Sequence, residues 1–304
     1  MKSVLVSLVL VVVCRSPEVH AQAPGNQSPR APVSAGRIDI DVTAKAPAGT
    51  STLSGETLRE LDRPDLGQAV ELLPGVAMRR VGPRNETALY MRGFDLRQVP
   101  LYIDGFPVYV PYDGHVDLSR FLTADVSEIR VSKGIASVLY GPNTLGGAIN
   151  VISSEPDARF KSTVHAQIGA GEDHMFDAMI GTRQRVWWGV ASAAHRRADM
   201  FRLPGGGERI NAHRQDDRLG LRAGYSRAAV QTTVAFAAQR GEKGSPPYGG
   251  PDATVRIRYW QWPRWDKDNI WAVATYSMGR AGYLRGCAWR DTFDNALHSY
   301  DDAT

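Results

Sequence analysis

The sequence predicts an α+β domain followed by antiparallel strands of an outer-membrane β-barrel. Two observations predict this class: a compact mixture of helix and strand patterns from about residue 44 to residue 155, and a series of segments after Pro156 in which apolar residues alternate with polar or small ones. A third is an apolar N-terminus typical of exported proteins. Strands that alternate in this way are the signature of transmembrane barrels, because one side faces lipid and the other faces the lumen.

The first 21 residues have the pattern of a cleaved secretory signal. Lys2 supplies a positive charge, residues 4–13 form an apolar run, and the pattern ends in small residues at Ala21. The apolar run is too short to span a bilayer. Residues 22–37 are rich in Pro, Gly, Ser and Ala without periodicity. They are predicted to be a flexible linker.

Composition argues against a disulfide-stabilised scaffold and against a nucleic-acid-binding protein. Cys14 lies in the predicted signal, so the exported chain keeps Cys287 alone and no internal disulfide supports its fold. The net charge is +4, with Lys and Arg interspersed among Asp and Glu. This distribution is typical of a solvated mixed surface and predicts no nucleic-acid partner.

A short alternating segment follows the linker. Apolar side chains alternate with polar ones from residue 38 to residue 43, in the order Ile38, Asp39, Ile40, Asp41, Val42, Thr43. The alternation predicts a strand, and its place after a linker favours a strand that is added to the sheet of a partner. An ordinary first strand of the next domain fits the pattern equally well.

Residues 44–155 carry local signals for one helix and several strands. In DLGQAVELLPGV, Asp65 can cap a helix with Gln68 three residues later, and Pro74-Gly75 ends it. In LYIDGFPVYV, Asp104-Gly105 lies between apolar arms, which predicts a hairpin. EIRVSKG and AINVIS are predicted as strands. About a hundred residues suffice for a core of their own.

The segment GIASVLYGPNTLGGAINVIS, residues 134–153, has the glycine spacing of a phosphate-binding loop. Gly147 and Ala148 stand where such a loop needs Lys and Ser or Thr, so the nucleotide interpretation fails. Its glycines instead predict a turn and a close passage of the chain at Gly146-Gly147. HExxH and GxSxG motifs are absent. We therefore expect no enzyme activity, no metal site and no cofactor.

Eight strand-like segments follow Pro156. They are separated by turn-rich or charged stretches and are, in order, FKSTVHAQIG, HMFDAMIGT, VWWGVASAAH, RLGLRAGYS, AVQTTVAFAAQ, VRIRYWQW, NIWAVATYS and YLRGCAW. Tryptophans lie near segment ends more often than in their middles, which predicts aromatic girdles at the membrane interfaces. A soluble antiparallel sandwich is the alternative that this alternation leaves open.

Four segments resemble the plug domain of TonB-dependent outer-membrane receptors: IDIDVTA, LGQAVELLPGVAMRR, YMRGFDLRQVPLYIDGFPVYVPYDG and EIRVSKGIASVLYGPNTLGGAINVIS. The first is similar to the TonB box, and the strands after residue 155 look like the start of that family's barrel. The resemblance implies a plug at residues 44–155 inside a barrel of about 22 strands. It also implies energy-coupled uptake of a scarce ligand, most often a ferric siderophore or another metal complex. TonB with its inner-membrane energising complex would be the partner.

The resemblance suggests roles for polar residues around the predicted hairpin and strands. Candidates for ligand contact are Arg97, Tyr109, Tyr112, Asp113 and His115. Charged residues expected to anchor the plug inside the lumen are Arg92, Glu128 and Arg130. Anchoring and ligand contact both remain open for the residues at the apex of the plug.

The number of strands conflicts with a closed barrel, since about eight of the expected 22 are present. An eight-stranded barrel is filled by its own side chains, and an open sheet leaves unpaired edges in lipid. We therefore expect residues 156–304 to be a truncated barrel and the chain to be a fragment of a receptor in the outer membrane of a Gram-negative bacterium, surrounded by outer-membrane lipid. A passive plugged porin, a signalling receptor and a soluble exported α+β/β-sandwich binding protein are the alternatives.

Overall fold

A computed structural model describes residues 2–4, 10–14, 50–81, 86–108, 110, 116–134, 143–199, 207–252, 254–279 and 282–301. Two short strands come first, β1 (Lys2–Val4) and β2 (Leu10–Cys14). The α+β domain follows and contains β3 (Thr50–Ser54), α1 (Gly55–Glu60), α2 (Leu66–Glu71), β4 (Val76–Val81), β5 (Glu86–Met91), β6 (Phe94–Asp95), β7 (Leu101–Ile103), β8 (Phe106–Pro107), a 3-10 helix (Leu118–Arg120), β9 (Val126–Lys133) and β10 (Gly147–Ser153).

The α+β domain has two small sheets over one core. The larger sheet has the order β3-β9-β10-β7-β8, and the smaller one has the order β4-β5-β6. Strand β10 lies at the centre of the larger sheet, where Ile149 pairs antiparallel with Val131 and parallel with Leu101. All seven residues of β10 are buried, as expected for a central strand covered on both faces.

Local signals in the sequence predict this domain well. Helix α2 begins after Asp65, whose side chain accepts from the backbone N–H of Gln68 at 2.9 Å. The Asp104-Gly105 turn has positive φ at both residues, 51° and 81°, as a tight two-residue hairpin requires. The predicted helix, hairpin and strands of this domain are therefore confirmed. Among the described residues, no helix is long and apolar enough to cross a membrane.

The predicted close passage at Gly146-Gly147 is also confirmed. A Cβ at Gly146 would lie 2.5 Å from the Cβ of Phe94, and one at Gly147 would lie 2.0 Å from the carbonyl oxygen of Ser132. Gly147 has a φ of 134°, a backbone conformation that favours glycine. These glycines bring the chain into the central strand of the sheet without a side chain between them and their neighbours.

The second part of the chain is one antiparallel sheet, which we call the barrel sheet. Its strands follow each other in sequence and are β11 (Lys161–Ile168), β12 (His174–Arg183), β13 (Trp187–Ala198), β14 (Arg214–Arg227), β15 (Val230–Ser245), β16 (Tyr259–Ser277) and β17 (Tyr283–Tyr300). Connections alternate between short turns, such as residues 228–229, and long loops, such as residues 246–258. Outer-membrane barrels have this asymmetry, with short turns on the periplasmic side.

Seven strands are found after Pro156 in the described residues, so the predicted number of eight is wrong by one. The segments VRIRYWQW and NIWAVATYS contribute to the single strand β16. A bulge between Gln261 and Arg264 absorbs a change of register there and places Pro263 outside the ladder. The polar stretch between the two segments, residues 263–268, looks like a turn in the sequence. It continues the strand, and its residues Trp265 and Lys267 face the α+β domain.

Strands β1 and β2 pair with β17 at the edge of the barrel sheet. Lys2 is opposite Asp294, and Leu10 is opposite Cys287. Both strands belong to the predicted signal, whose cleavage stays a prediction. An edge strand offers unpaired backbone groups and readily accepts such a segment. The rest of the predicted signal, the predicted linker and residues 38–43 lie outside the described residues.

The inner face of the barrel sheet packs on the α+β domain. Trp265 and Phe293 of the sheet belong to the same buried cluster as Leu118 and Phe121 of the domain. The prediction of tryptophan girdles is therefore wrong for most of these residues. Trp188, Trp262, Trp265 and Trp271 are buried, Trp260 and Trp289 are half-buried, and Trp187 is exposed. Trp265 and Trp271 contact Phe121 and Phe106 of the domain, because the wall faces a protein surface on its inner side.

Candidate functional site between the α+β domain and the barrel sheet

A chain of four buried charges joins the α+β domain to the barrel sheet. Arg196 of β13 donates through Nη1 to Asp65 Oδ2 at 3.0 Å and through Nη2 to Asp216 Oδ2 of β14 at 2.6 Å. Asp216 Oδ1 lies 3.0 Å from Nε of Arg120, an ion pair without hydrogen-bond geometry. All four side chains are at most 2% exposed. The alternating signs cancel, as buried charges require.

Secondary structure places each member of this chain. Asp65 is the N-cap of α2, and Arg120 ends the 3-10 helix that follows Asp117. Arg196 and Asp216 are directly opposite each other in the β13–β14 ladder. Arg196 also donates to the carbonyl oxygen of Ser119 at 2.5 Å. One barrel arginine thereby holds both the helix cap and the 3-10 helix.

Arg120 inserts from the domain into the barrel wall. Its Nη1 donates to the carbonyl oxygen of Glu242 at 3.0 Å, and its guanidinium lies 5.3 Å from the ring of Trp265. Gly241 provides the space, since a Cβ there would lie 2.0 Å from Nη2 of Arg120. Gln239 donates to the carbonyl oxygen of Arg120. The wall is therefore shaped around this one side chain.

A second buried ion pair lies beside the first chain. Lys243 Nζ of β15 donates to Asp117 Oδ2 at 2.7 Å and lies 5.1 Å from the ring of Trp262. Burial alone would raise the pKa of the Asp117 carboxyl. The Lys243 ammonium, the Ser119 hydroxyl and Arg120 outweigh burial and hold this pKa at about 2, below the ordinary 3.8. Asp117 therefore stays ionised over the physiological range.

The Asp117 pair predicts a defined acid sensitivity. A carboxyl whose pKa is lower in the folded state contributes stability that is present above pH 4 and is lost as the pH falls through about 2. The shift corresponds to about 2 kcal/mol. We expect Lys243→Met to move acid release of the domain to higher pH by about one unit or more, because burial then raises the pKa of Asp117. Protease accessibility of the domain across a pH series measures this release.

Lys161→Met is the matched control for this experiment. Lys161 pairs with Asp157 at 3.1 Å, and both side chains are at least a third exposed. Such a pair contributes little. Acid-release curves that coincide for the wild type and Lys243→Met would contradict the proposed role of the pair.

A third group of contacts holds the segment that leaves the domain. Asp125 pairs with Arg218 and accepts from the Ser192 hydroxyl at 3.1 Å. Burial would raise the pKa of Asp125, but Arg218 and Arg222 outweigh it and the pKa lies below its ordinary value. Arg222 donates to the carbonyl oxygen of Ser154. The junction with the barrel sheet is thereby fixed along its length.

Aromatic side chains complete the interface. Phe106, at the tip of the predicted hairpin, stacks on Trp271 with 4.9 Å between ring centroids. Phe121 contacts Trp265 edge-on at 5.9 Å. A cavity of about 60 Å³ between the hairpin and strands β14–β16 is lined by Asp104, Arg218 and Lys267, among others. Apart from that small space, the domain and the wall pack closely here.

The contacts of the predicted anchoring residues that the structure describes lie within the α+β domain. Arg130 Nε donates to Glu128 Oε1 at 2.9 Å, two residues away in the same strand. Arg92 and Gly93 both have positive φ and form the β5–β6 turn. The Arg92 guanidinium lies next to Gly134, with Nη1 2.8 Å from the position of a Cβ there. The buried bonds to the barrel sheet come instead from Asp65, Asp117, Arg120 and Asp125.

One of the five candidates for ligand contact is described by the structure. Arg97 is more than half exposed and forms an ion pair with Asp95, with 2.5 Å between Nη2 and Oδ2. The other four, Tyr109, Tyr112, Asp113 and His115, lie outside the described residues. Contact of these five residues with a ligand stays a prediction.

Sequence reasoning missed the barrel partners of the buried charges. Arg196, Asp216, Arg218 and Lys243 lie in charged stretches of their strands, HRRAD, RQDDR and RGEK, and the alternation of inward and outward positions was the available signal. A charge on the inner side of a strand needs a partner when that side is buried. The sequence predicts Asp65 as a helix cap, and Asp65 has this role in addition to its bond with Arg196.

Comparison with known proteins agrees with this architecture. The family model of the TonB-dependent Receptor Plug Domain matches residues 42–148. The vitamin B12 transporter BtuB of Vibrio vulnificus is 26% identical over 184 residues, 60% of this chain and 28% of its own length. The BtuB protein of Photobacterium profundum is 24% identical over 204 residues, 66% of this chain and 33% of its own length. The chain thus spans about a third of the length of these relatives.

Solved structures share the fold. The copper transporter OprC superposes with a TM-score of 0.66 at 14% identity and covers 82% of this chain and 38% of its own. The ferripyoverdine receptor of the outer membrane of Pseudomonas aeruginosa superposes with a TM-score of 0.65 at 17% identity, over 83% of this chain and 34% of its own. These relatives are transporters and receptors rather than enzymes. The α+β domain matches the plug domain of TonB-dependent receptors, and the chain as a whole is similar to the plug and part of the barrel of such receptors.

Proposed function

We propose that the intact receptor imports a scarce metal complex across the outer membrane, with energy delivered through TonB. The observation that carries the proposal is the buried, charge-neutral network between plug and wall. Arg196 bridges Asp65 and Asp216, and Lys243 pairs with Asp117. Leaving one partner of a buried pair uncompensated costs about 3–5 kcal/mol. A plug held in this way blocks the lumen until work is done on it.

This arrangement favours active transport over the passive alternatives. A passive porin needs a water-filled path, whereas the described part of the interface leaves a cavity of about 60 Å³. A soluble sandwich would carry mostly polar side chains on the outer faces of its sheets. Here large apolar side chains such as Ile180, Val234 and Ile270 are exposed on the outer face, as in a strand wall that faces lipid.

The coupling segment in this proposal is the TonB box at residues 38–43. Strand addition uses backbone N–H and C=O groups for affinity and alternate side chains for specificity. We propose that Ile38, Ile40 and Val42 face the partner sheet. Pulling on this segment transmits force to β3 at the edge of the plug sheet.

Deletion of residues 38–43 in the intact receptor is expected to abolish uptake and leave binding at the cell surface unchanged. Ile40→Pro should have nearly the same effect, because proline removes a backbone donor, while Ile40→Val keeps the strand and should keep uptake. Uptake is measured with labelled ferric siderophore, vitamin B12 and copper in parallel. Full uptake by the deletion variant would point to a passive porin, and a chain found soluble in the periplasm would reject membrane transport.

The ligand class rests on the names of the relatives and on the predicted contact residues. The relatives are named as transporters or receptors of vitamin B12, copper and ferripyoverdine. We propose that a metal complex contacts the outer side of the plug through Arg97, Tyr109, Tyr112, Asp113 and His115. Arg92, Glu128 and Arg130 are proposed to stabilise the plug in the lumen.

A further inference from the structure

An apolar groove crosses the outer face of the barrel sheet near its short-turn end. Its floor consists of the small residues Gly189 and Ala191 of β13 and Ala223 of β14, and Gly189 is directly opposite Ala223 in the ladder. The groove has a volume of about 610 Å³ and is lined almost entirely by apolar atoms. Its floor is two strands wide.

Large apolar side chains form the walls of this groove. Phe160 and Ile180 lie on one side, and Val234 and Phe236 lie on the other. Each of these side chains is exposed, from 36% for Phe236 to 63% for Phe160. Exposed apolar surface of this extent on a barrel wall faces hydrocarbon. A narrow trough with a flat floor fits an extended acyl chain better than a bulky side chain of another protein.

Aromatic and cationic residues lie at the short-turn end of the groove. Two residues along the strands from Gly189 and Ala223, Trp187 contacts Tyr225 with 4.6 Å between ring centroids. Amphipathic rings of this kind lie at the level of lipid headgroups. Thr182, which lines the groove, donates to the carbonyl oxygen of Arg159 at 2.8 Å and so fixes that residue at the mouth.

The charge at this end is positive. Arg159, Arg185 and Arg227 are exposed there. The nearby carboxylates are already engaged, because Glu155 pairs with Arg183 and Asp157 pairs with Lys161. Exposed arginines beside an aromatic pair at a membrane surface attract anionic headgroups. The exposed arginines and the apolar groove lie at the same end of the sheet. Together they favour a ligand with an anionic head and an apolar tail.

We propose that the groove binds one anionic phospholipid of the leaflet at the short-turn end of the barrel. An acyl chain lies over Gly189, Ala191 and Ala223, and the phosphate lies near Arg159 and Arg185. The site needs only that these strands lie in a membrane, so it is independent of TonB coupling. A receptor that fails in uptake can still bind this lipid, which separates the two proposals.

Two variants test the two halves of the site in the intact receptor. Gly189→Leu fills the floor, and it is tolerated by the strand because a Cβ there meets only the carbonyl oxygen of Arg222, at 3.8 Å. Arg159→Gln with Arg185→Gln removes charge at the mouth. Ala274→Leu is the matched control, since Ala274 is exposed on β16 outside the groove.

Native mass spectrometry of the detergent-solubilised receptor, with added dioleoyl phosphatidylglycerol or dioleoyl phosphatidylcholine, counts bound lipids. We expect one retained phosphatidylglycerol, with about a fivefold preference over phosphatidylcholine for each contributing arginine. Gly189→Leu should lose both lipids, the double glutamine variant should lose the preference only, and Ala274→Leu should behave as the wild type. Equal retention of both lipids by the wild type, unchanged retention by Gly189→Leu, or lipid-free dimers would each overturn the proposal. Heat-modifiable gel mobility verifies barrel folding in every variant.

Discussion

Arg196→Met in the intact receptor is expected to loosen the plug by about 3–5 kcal/mol, because it leaves the Asp65 carboxylate buried without its cation. Methionine is apolar and fills much of the same space, so the loss comes from charge rather than from a cavity. Arg196 also holds Ser119 and Asp216, and both contacts are lost in the variant. Amide hydrogen exchange in α2, measured in detergent, should accelerate about a hundredfold or more.

The adjacent residue provides a control for this experiment. Arg197 pairs with Asp199 at 2.8 Å, and its side chain is about half exposed on the other side of the same strand. Exposed ion pairs contribute about 0–1 kcal/mol. Arg197→Met should therefore leave exchange in α2 nearly unchanged. Equal exchange rates in the two variants would show that the buried network does not hold the plug.

Gly147→Ala is expected to destabilise the plug itself by about 3–5 kcal/mol. The new Cβ would lie 2.0 Å from the carbonyl oxygen of Ser132 and 2.5 Å from Cε of Met91. The methionine can move, but the carbonyl is fixed in the ladder between β9 and β10, where Ser132 pairs with Ala148. The strand must therefore separate locally. A short protease pulse along a urea gradient measures the loss of intact plug.

Gly93→Ala separates steric clash from backbone strain. Gly93 also has a positive φ, 86°, but no atom lies within 4 Å of a Cβ built there. The variant therefore carries only the left-handed backbone penalty, about 1–2 kcal/mol. We expect its urea midpoint to lie close to that of the wild type and well above that of Gly147→Ala. If both alanine variants unfold at the same urea concentration, close packing at Gly147 contributes nothing.

Elements with local signals could be predicted from the sequence. Asp65 and Gln68 mark the start of α2, and Asp104-Gly105 marks the hairpin, because capping and positive φ depend on residues within a few positions. Alternation likewise predicts the strands of the barrel sheet. It fails around Pro263, where charges within a long strand look like a turn. A bulge and the facing surface of the plug allow the strand to continue through this stretch, and neither feature has a local sequence pattern.

The buried network could not be predicted because its partners are far apart in sequence. The bond between Arg196 and Asp65 spans 131 residues, and the one between Lys243 and Asp117 spans 126. Alternation indicates that a charge faces inward, but it does not say which charge of the plug lies opposite. The same limit applies to the tryptophans, whose inward direction depends on the plug surface. The arrangement of the plug against the barrel sheet decides both the pairing of the buried charges and the direction of the tryptophans.

The presence of Trp265 and Phe293 in the plug core has a consequence for the order of assembly. Both residues come from β16 and β17, far downstream of the core residues Leu118 and Phe121. The plug therefore cannot complete its core before these strands have been synthesised and paired. Contacts that close such long loops are slow to form. We expect strand pairing to precede plug docking during biogenesis, with Arg120 entering the space above Gly241 as one of the last events.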